Sequence, residues 1–242
     1  MTRKRKLSRG GFTLIELLAV VVIIGILLGL VAAVAIRAIQ TADNAIIASD
    51  IIAISAGMEA VQQQLGGNGP PPSTQQAAIA WLKGAYPMWT GNDLAGFTVT
   101  PETAIVFWLN GPTGKGFSPN RENPFDFSNP DSCSPIGELK QERIKNNMYY
   151  QHTYNTGDDP FVYYSSSNGY TTGKEVKMQN GNFANVGSFQ IRGPGMDGKL
   201  GTCTQLPLDG APPAAGTLDN NLDDIANYTS SQTFEDYSRN QE

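Results

Sequence analysis

The feature that most constrains this chain is an uninterrupted apolar run near the amino terminus, Leu17 to Ile36, which contains no polar side chain. A helix of roughly twenty residues, rising about 1.5 Å per residue, is about 30 Å long, which matches the hydrocarbon core of a bilayer. The run is therefore predicted to be a transmembrane helix. Glu16 directly precedes it. An acid at membrane depth costs on the order of 2.5–3.5 kcal/mol, so we expect its carboxylate to have a cationic partner.

Charge is divided unevenly along the chain. The first eleven residues hold five basic and no acidic side chains, whereas the whole chain of 242 residues carries −5, so the part from Phe12 onward carries −10. Short basic flanks stay cytoplasmic, which predicts a cytoplasmic amino terminus and a body on the other side of the membrane. An acidic body with scattered Lys and Arg offers no basic patch, which argues against binding of nucleic acid.

The residues around Gly11 follow a specific order, GFTLIE over residues 11–16. This order resembles the prepilin processing site of type IV pilins and of the pseudopilins of type II secretion. The resemblance implies that a prepilin peptidase cleaves between Gly11 and Phe12, that Phe12 is N-methylated, and that Glu16 acts in assembly. It also implies a bacterial inner membrane protein with a periplasmic body. The implied partners are the peptidase, further copies of the chain, minor pseudopilins, an assembly platform and lipid.

Cleavage after Gly11 would supply the missing cation. It leaves an α-amino group on Phe12 with a pKa of about 7.7–8.0, which is mostly protonated at neutral pH. Phe12 and Glu16 are four residues apart, so the amine reaches the carboxylate of its own chain or of a neighbour. The resemblance favours the neighbour, where the pair would set the stagger in a filament. The alternative is that Glu16 only stabilises the helix start through the helix dipole.

The helix is predicted to continue well beyond the apolar run, because no proline interrupts residues 12–65 and a Gly-Pro-rich stretch follows. Its second half should be amphipathic. An apolar stripe that repeats every seven residues is expected to face the body: Ile39, Ile46, Ala53 and Ala60. The predicted domains are a leader (1–11), a transmembrane half-helix (12–36), an amphipathic half-helix (37–65) and a globular domain (66–242).

The body shows signals for both helices and strands. Residues 66–74 are predicted to form a linker-like turn, 75–83 a short helix, and 104–109 a buried helix closed by Gly111. Both helices are expected to pack at the margin of the core, and Phe117, Phe125 and Phe127 to fix the loop over 111–131. Strand signals lie at 148–154, 161–165 and 186–192. The sequence therefore predicts an α+β, pilin-like fold, with a long helix on an antiparallel sheet.

Acidic side chains gather near the carboxyl end, where Lys199 is the single cation between residues 193 and 228. Calcium takes six to eight oxygen ligands, and Gly-rich loops present carbonyls well. The segment resembles the end of the major pseudopilin of type II secretion. The resemblance implies a calcium ion at Asp197 and Asp224, and Leu200, Asp219 and Asp223 are further candidate ligands. The alternative is an ordinary turn followed by a solvated helix start.

The chain has two cysteines, Cys133 and Cys203, and neither lies in a zinc-binding pattern. An extracytoplasmic location permits a disulfide between them, with two free thiols as the alternative. His152 is the only histidine. Its tyrosine-rich surroundings are more typical of a structural residue than of a catalytic base.

These patterns predict a structural subunit of a pilin-like filament rather than an enzyme, and the closest resemblance is to a type II secretion pseudopilin. A type IV pilin for adhesion or motility is the near alternative. A membrane-anchored binding protein or hydrolase that carries a prepilin leader is the alternative from another class.

Overall fold

The computed structural model describes residues 14–128, 133–151, 157–178, 181–195, 198–201, 205–206 and 225–227. The chain divides into two compact units, Met1–Ala42 and Asp43–Glu242. The fold is α+β, as predicted, with small sheets that are antiparallel except for one parallel two-stranded pair, and is consistent with a pilin-like fold. The elements are the helices α1 (Leu14–Leu65), α2 (Gln75–Ala85) and α3 (Ala104–Asn110), and the strands β1 (Ile144–Lys145), β2 (Met148–Tyr149), β3 (Val162–Ser165), β4 (Lys177–Met178), β5 (Phe189–Gly193), β6 (Gln205–Leu206) and β7 (Ile225–Ala226).

In the first unit, α1 is strongly apolar and unburied. The window Leu14–Ala32 has a mean hydropathy of 3.1, and none of it is buried. It is long and apolar enough to cross a membrane. The window Thr41–Leu65 also passes this test of length and composition, but its mean hydropathy is 1.4 and 28% of it is buried. That second window supplies core residues of the body and is not a second predicted span.

In the second unit, α1 buries one row of large apolar side chains. The row repeats every three or four residues, as one face of a helix requires. It consists of Ile47, Ile51, Ile54, Met58, Val61 and Leu65.

The predicted stripe on α1 was wrong. Ile46 and Ala53 are exposed and Ala60 is half-buried, and Ile39 is exposed in the first unit. The two rows have nearly the same spacing, but the buried one carries bulkier side chains. Burial of larger apolar area releases more free energy, at roughly 25 cal/mol per Å², so the body packs on that row.

Helix α3 lies at the centre of the core rather than at its margin, which corrects the expectation. All of its residues from Ala104 to Asn110 are buried. Phe107 and Trp108 contact each other edge to face, with ring centroids 4.8 Å apart, and Phe117 packs 5.5 Å from Phe107. The helix ends at Gly111 as predicted, because Gly111 has a φ of +74° and donates its N–H to the carbonyl of Phe107.

The main sheet has three antiparallel strands in the order β3-β5-β7. Val162 lies opposite Arg192, and Ser165 opposite Phe189. Side chains alternate between faces, so Tyr163 joins the main core, whereas Val162 and Tyr164 join a separate cluster with Tyr170.

The free edge of β3 is closed by groups from outside the sheet. The N–H of Tyr163 donates to the carbonyl of Pro101 at 2.9 Å. The N–H of Ser165 donates to Oγ of Ser73 at 3.3 Å. Both amides are therefore used within the fold.

Residues 69–73, which we call the strap, connect α1 to α2. The sequence predicted a linker-like turn here, but Pro70, Pro71, Pro72 and Ser73 are all buried. The difference arises because distant side chains bond the strap's carbonyls, for example Nε1 of Trp108 to Pro72 at 2.7 Å. These partners lie too far along the sequence for a local pattern to reveal them.

A buried arginine fastens the β1–β2 hairpin to α1. Nη2 of Arg143 lies 2.7 Å from Oδ2 of Asp50, and the two side chains are 5% and 16% exposed. Nε of Arg143 donates to the carbonyl of Tyr150 at 2.7 Å, and the guanidinium lies 4.5 Å from the ring centroid of Tyr149. Three kinds of interaction thus hold one cation between the helix and the hairpin.

Candidate functional sites

The first candidate site lies at the start of α1. Glu16 is in the first turn of the helix, and its side chain is exposed. Its neighbours Leu14 and Ile15 are 82% and 74% exposed, so this carboxylate lies within an apolar surface. Gly11 and Phe12 lie outside the described residues. Cleavage between them, methylation of Phe12 and the pairing with Glu16 therefore stay predictions.

The second candidate site is the turn that follows β5. Gly198 donates its N–H to the carbonyl of Gly195 at 3.1 Å. Its φ of +71° favours glycine, and a Cβ added there would lie 2.9 Å from Oδ1 of Asp158. The backbone conformation therefore favours glycine at this position, and any side chain there would require the Asp158 carboxylate to shift.

Asp159 binds the same turn through two hydrogen bonds. Its N–H donates to the carbonyl of Gly198 at 2.8 Å. Its Oδ2 accepts from the N–H of Leu200 at 2.9 Å. The segment that leads into β3 and the turn that follows β5 are thus fastened to each other.

Strand β7 runs beside the same end of β5. Ile225 lies opposite Gly193, and Ala226 opposite Arg192. Asn227 extends the pairing with its side chain, because Oδ1 accepts from Ile191 N–H at 2.9 Å and Nδ2 donates to the carbonyl of Phe189 at 3.1 Å. Ile225, which directly follows Asp224, is therefore paired with Gly193, two residues before Gly195.

The predicted calcium ligands are only partly described. Leu200 lies in the turn, whereas Asp197, Asp219, Asp223 and Asp224 lie outside the described residues. Among the residues that the structure describes, no group of three or more His, Cys, Asp and Glu side chains could hold a metal ion. The calcium site therefore stays a prediction.

Sequence reasoning overlooked Asp158 and Asp159, which the structure brings to this turn. The available signal was an acidic pair between Gly157 and Pro160, directly before a strand pattern. A local pattern cannot show that these two acids contact residues about forty positions later in the chain.

A cleft of about 330 Å³ opens beside this turn. Arg192 is buried in its wall, and Nη2 donates to the carbonyl of Gly201 at 2.7 Å. Acidic and basic side chains balance each other around the cleft, so its net charge favours neither an anionic nor a cationic ligand. The lining consists of Glu102, Asp159, Pro160, Val162, Tyr164, Lys174, Arg192, Leu200 and Gly201.

The phenol of Tyr164 in this cleft is held in its neutral form. Burial raises the pKa of Tyr164 to about 12, with Glu102 and Glu175 adding to the effect and Arg192 opposing it. At neutral pH the hydroxyl is therefore a hydrogen-bond donor and not a base.

Only one cysteine of the predicted disulfide lies within the described residues. Cys133 is a free, half-buried thiol whose Sγ lies 3.7 Å from the carbonyl of Asp126, and Cys203 lies outside the described residues. The disulfide stays a prediction for the oxidised protein, which a thiol count before and after reduction would test. His152 also lies outside the described residues.

Comparison with known proteins identifies only the amino-terminal segment. Residues 6–32 match the family model of the prokaryotic N-terminal methylation motif. No curated protein and no solved structure matches the chain. The matched segment contains Gly11, Phe12 and Glu16 and runs into the apolar part of α1. The amino-terminal segment therefore carries a prepilin-like leader, and the apolar helix that follows suggests a single-pass membrane anchor.

Proposed function

We propose that this chain is a structural subunit of a pilin-like filament, most specifically a pseudopilin of type II secretion. The observation that carries the proposal is the methylation motif at residues 6–32, followed by a helix whose apolar side chains are exposed from Leu14 onward. Prepilin peptidase cleaves between Gly11 and Phe12, and Phe12 is N-methylated. The subunit then assembles through its amino-terminal helix and performs no catalysis.

The charge pair supplies the specificity of assembly. In a membrane the hydrophobic effect neither draws apolar helices together nor selects a register between them, because lipid tails are as apolar as the side chains they replace. A carboxylate at Glu16 and an amine at Phe12 of a neighbouring copy offset each other's cost of leaving water. Copies that align these two groups are favoured over copies in other registers.

The proposed location follows from the charge of the leader. The five basic residues before the helix keep the amino terminus in the cytoplasm, and the acidic body lies in the periplasm, anchored in the bacterial inner membrane. The partners are prepilin peptidase, further copies of the chain, minor pseudopilins, an inner-membrane assembly platform and lipid. Nucleic acid is not among them.

A calcium ion is part of the proposal, held by Asp197, Leu200, Asp219, Asp223 and Asp224. Two contacts support it. Leu200 is fixed by Asp159, and the residue after Asp224 pairs with Gly193 at the end of β5. We expect calcium to raise the melting temperature of the wild-type chain relative to chelator, and not that of the Asp197→Ala/Asp224→Ala variant. An equal shift in both proteins would place the ion elsewhere.

Two other functions remain as alternatives. A type IV pilin for adhesion or motility would carry the same processing site. A membrane-anchored binding protein or hydrolase is favoured by one observation, the cleft of about 330 Å³ with its charged rim. Such a protein would act as a monomer, whereas the pilin-like functions require assembly.

The test begins with processing. Sequencing of the mature amino terminus is expected to begin at Phe12 and to show a methylated amine. An intact Met1, or cleavage at another position, would contradict the proposal.

The second test addresses assembly. Glu16→Ala is expected to give a processed, membrane-held chain that no longer forms filaments, and Glu16→Asp to retain part of the assembly because it keeps the charge. Crosslinking and electron microscopy of isolated membranes measure this. Filaments that form equally well from Glu16→Ala would refute the charge pair, and a body that functions fully as a monomer would favour the binding protein.

A further inference from the structure

The strap offers an inference that does not depend on the proposed function. Its three prolines, Pro70, Pro71 and Pro72, are buried together with Ser73. The peptide bonds that precede these prolines are trans. A buried run of three prolines therefore lies between the long helix and the rest of the body.

Four successive carbonyls of the strap accept hydrogen bonds from side chains of other elements. The donors come from α2, α3, β3 and the turn after β3, so each carbonyl is fixed by a partner distant in sequence. The bonds are Trp81 Nε1 to Gly69 at 3.2 Å, Ser165 Oγ to Pro70 at 3.4 Å together with Ser167 Oγ to the same oxygen, Tyr163 Oη to Pro71 at 2.6 Å, and Trp108 Nε1 to Pro72 at 2.7 Å.

These bonds depend on the isomer of each prolyl peptide bond. A cis bond shortens the separation of consecutive Cα atoms from about 3.8 Å to about 2.9 Å and turns the following chain in a new direction. A strap with one cis bond cannot present all four carbonyls to their donors. Tyr163 and Trp108 are buried in the core, so their polar groups would then lack a partner, which is costly.

We propose that isomerisation of the prolyl bonds of the strap times the folding of the body, and that a peptidyl-prolyl isomerase is a folding partner of this chain. X–Pro bonds are cis in about 10–30% of unfolded chains, so about a quarter to two thirds of unfolded molecules hold at least one cis bond among the three. Each such molecule waits for an isomerisation that takes about 10–100 s at 25 °C.

Some prolines outside the strap also lie next to carbonyls that the fold uses. The Ser118 carbonyl, which precedes Pro119, accepts from Oη of the buried Tyr86 at 2.7 Å, and the Pro101 carbonyl accepts from the N–H of Tyr163. Pro87 and Pro135 are exposed in loops, which tolerate a wrong isomer more readily during folding. These two positions therefore give a control for the strap.

The test is refolding of the full chain in detergent micelles. The protein is unfolded in guanidinium for either a few seconds or an hour and is then diluted, while tryptophan fluorescence is followed, since Trp81 and Trp108 contact the strap. After the long delay we expect a phase of about 10–100 s that carries at least about a quarter of the amplitude, which is the smallest share the three strap bonds alone would give. The phase should be absent after the short delay and several-fold faster with added prolyl isomerase. The proposal would be overturned if the phase is absent, or if its amplitude does not depend on the unfolding delay and its rate does not depend on the isomerase.

Variants then locate the phase within the chain. The variant Pro70→Ala/Pro71→Ala/Pro72→Ala is expected to lower the slow amplitude clearly, and the control Pro87→Ala/Pro135→Ala to leave it unchanged. If the triple strap variant does not fold, Pro72→Ala alone should remove about a third of the strap's share of the amplitude, as one of three equivalent sites. A control variant that loses the phase, or strap variants that retain it in full, would assign the slow step to other prolines.

Discussion

The two halves of α1 differ both in apolar content and in surroundings, with a mean hydropathy of 3.1 for Leu14–Ala32 and 1.4 for Thr41–Leu65. Up to Ala42, every described side chain of the helix is exposed, and most of them are large and apolar. From Asp43 onward, one row of large apolar residues is buried, and the opposite face carries smaller side chains such as Ala45, Ser49 and Ala53. The first half satisfies its apolar surface only in lipid or against other helices, whereas the second half satisfies one face within its own chain.

The buried row and the exposed faces of α1 therefore serve different requirements. The buried row stabilises the body, so its side chains are selected for size and fit. The exposed residues are free of that constraint. Substitutions on the two faces should therefore affect different measurements.

The largest effect is expected from a matched pair of neighbouring isoleucines. Ile51 is fully buried and Ile52 is 60% exposed. Ile51→Ala should lower the free energy of unfolding by about 2–5 kcal/mol, through lost burial and the cavity it leaves. Ile52→Ala should change it by less than about 0.5 kcal/mol. Denaturant unfolding of the full chain in detergent measures both.

The Ile51 and Ile52 variants also test whether the exposed face of α1 takes part in assembly. If subunits associate through the exposed face of α1, Ile52→Ala lowers the yield of filaments while its stability is unchanged. A loss of stability in Ile52→Ala similar to that in Ile51→Ala would mean that both faces are buried and would break the comparison.

A smaller effect is expected at the contact of α1 with the β1–β2 hairpin. Arg143→Met should destabilise the body by about 1–3 kcal/mol, because Asp50 and the carbonyl of Tyr150 lose their donor while partly or fully buried. Addition of Asp50→Asn should recover part of this loss, since the stranded charge is removed. The four unfolding free energies form a double-mutant cycle. A double variant no more stable than Arg143→Met would mean that the charge of Asp50 costs little there.

The smallest effect on stability at neutral pH is expected from the buried tyrosines, which titrate only at high pH. Burial raises the pKa of both Tyr86 and Tyr164 to about 12. The folded state therefore holds these protons more tightly than the unfolded chain, whose tyrosines titrate near a pKa of about 10. Stability is unaffected below pH of about 10 and falls as the pH rises from about 10 to 12.

The alkaline transition should involve the body alone, because the first 42 residues contain no tyrosine. Near-ultraviolet circular dichroism reports the loss of aromatic packing, and ultraviolet absorbance reports ionisation of the phenols. A Tyr86→Phe/Tyr164→Phe variant should unfold at a higher pH. A transition at the same pH in this variant would show that other groups drive it.

Local signals predicted much of the fold. The end of α1 at Leu65, helix α2, the end of α3 at Gly111, and strands within 161–165 and 186–192 all followed from proline, glycine and apolar patterns. These features depend on a few neighbouring residues. Phe117 also fixes its loop as expected, since it packs against Phe107 in the core.

The errors arose where the outcome depends on distant residues. The pattern on α1 contained two apolar rows of similar spacing, and only the shape of the body decides which is buried. The composition of residues 66–74 is typical of a linker, but Trp108 and Tyr163 bury it. Asp159 was missed at the candidate calcium turn for the same reason, because its partner Leu200 lies far along the chain.

The closed edge of β3 has a consequence for the proposed filament, in which copies of the chain would lie close together. An exposed strand edge is a template on which another chain can add a strand, and the risk of aggregation grows with concentration. In β3 the amides of Tyr163 and Ser165 are already bonded to Pro101 and Ser73. A neighbouring chain would have to displace two native contacts before it could pair there, so this edge resists strand pairing between copies of the chain.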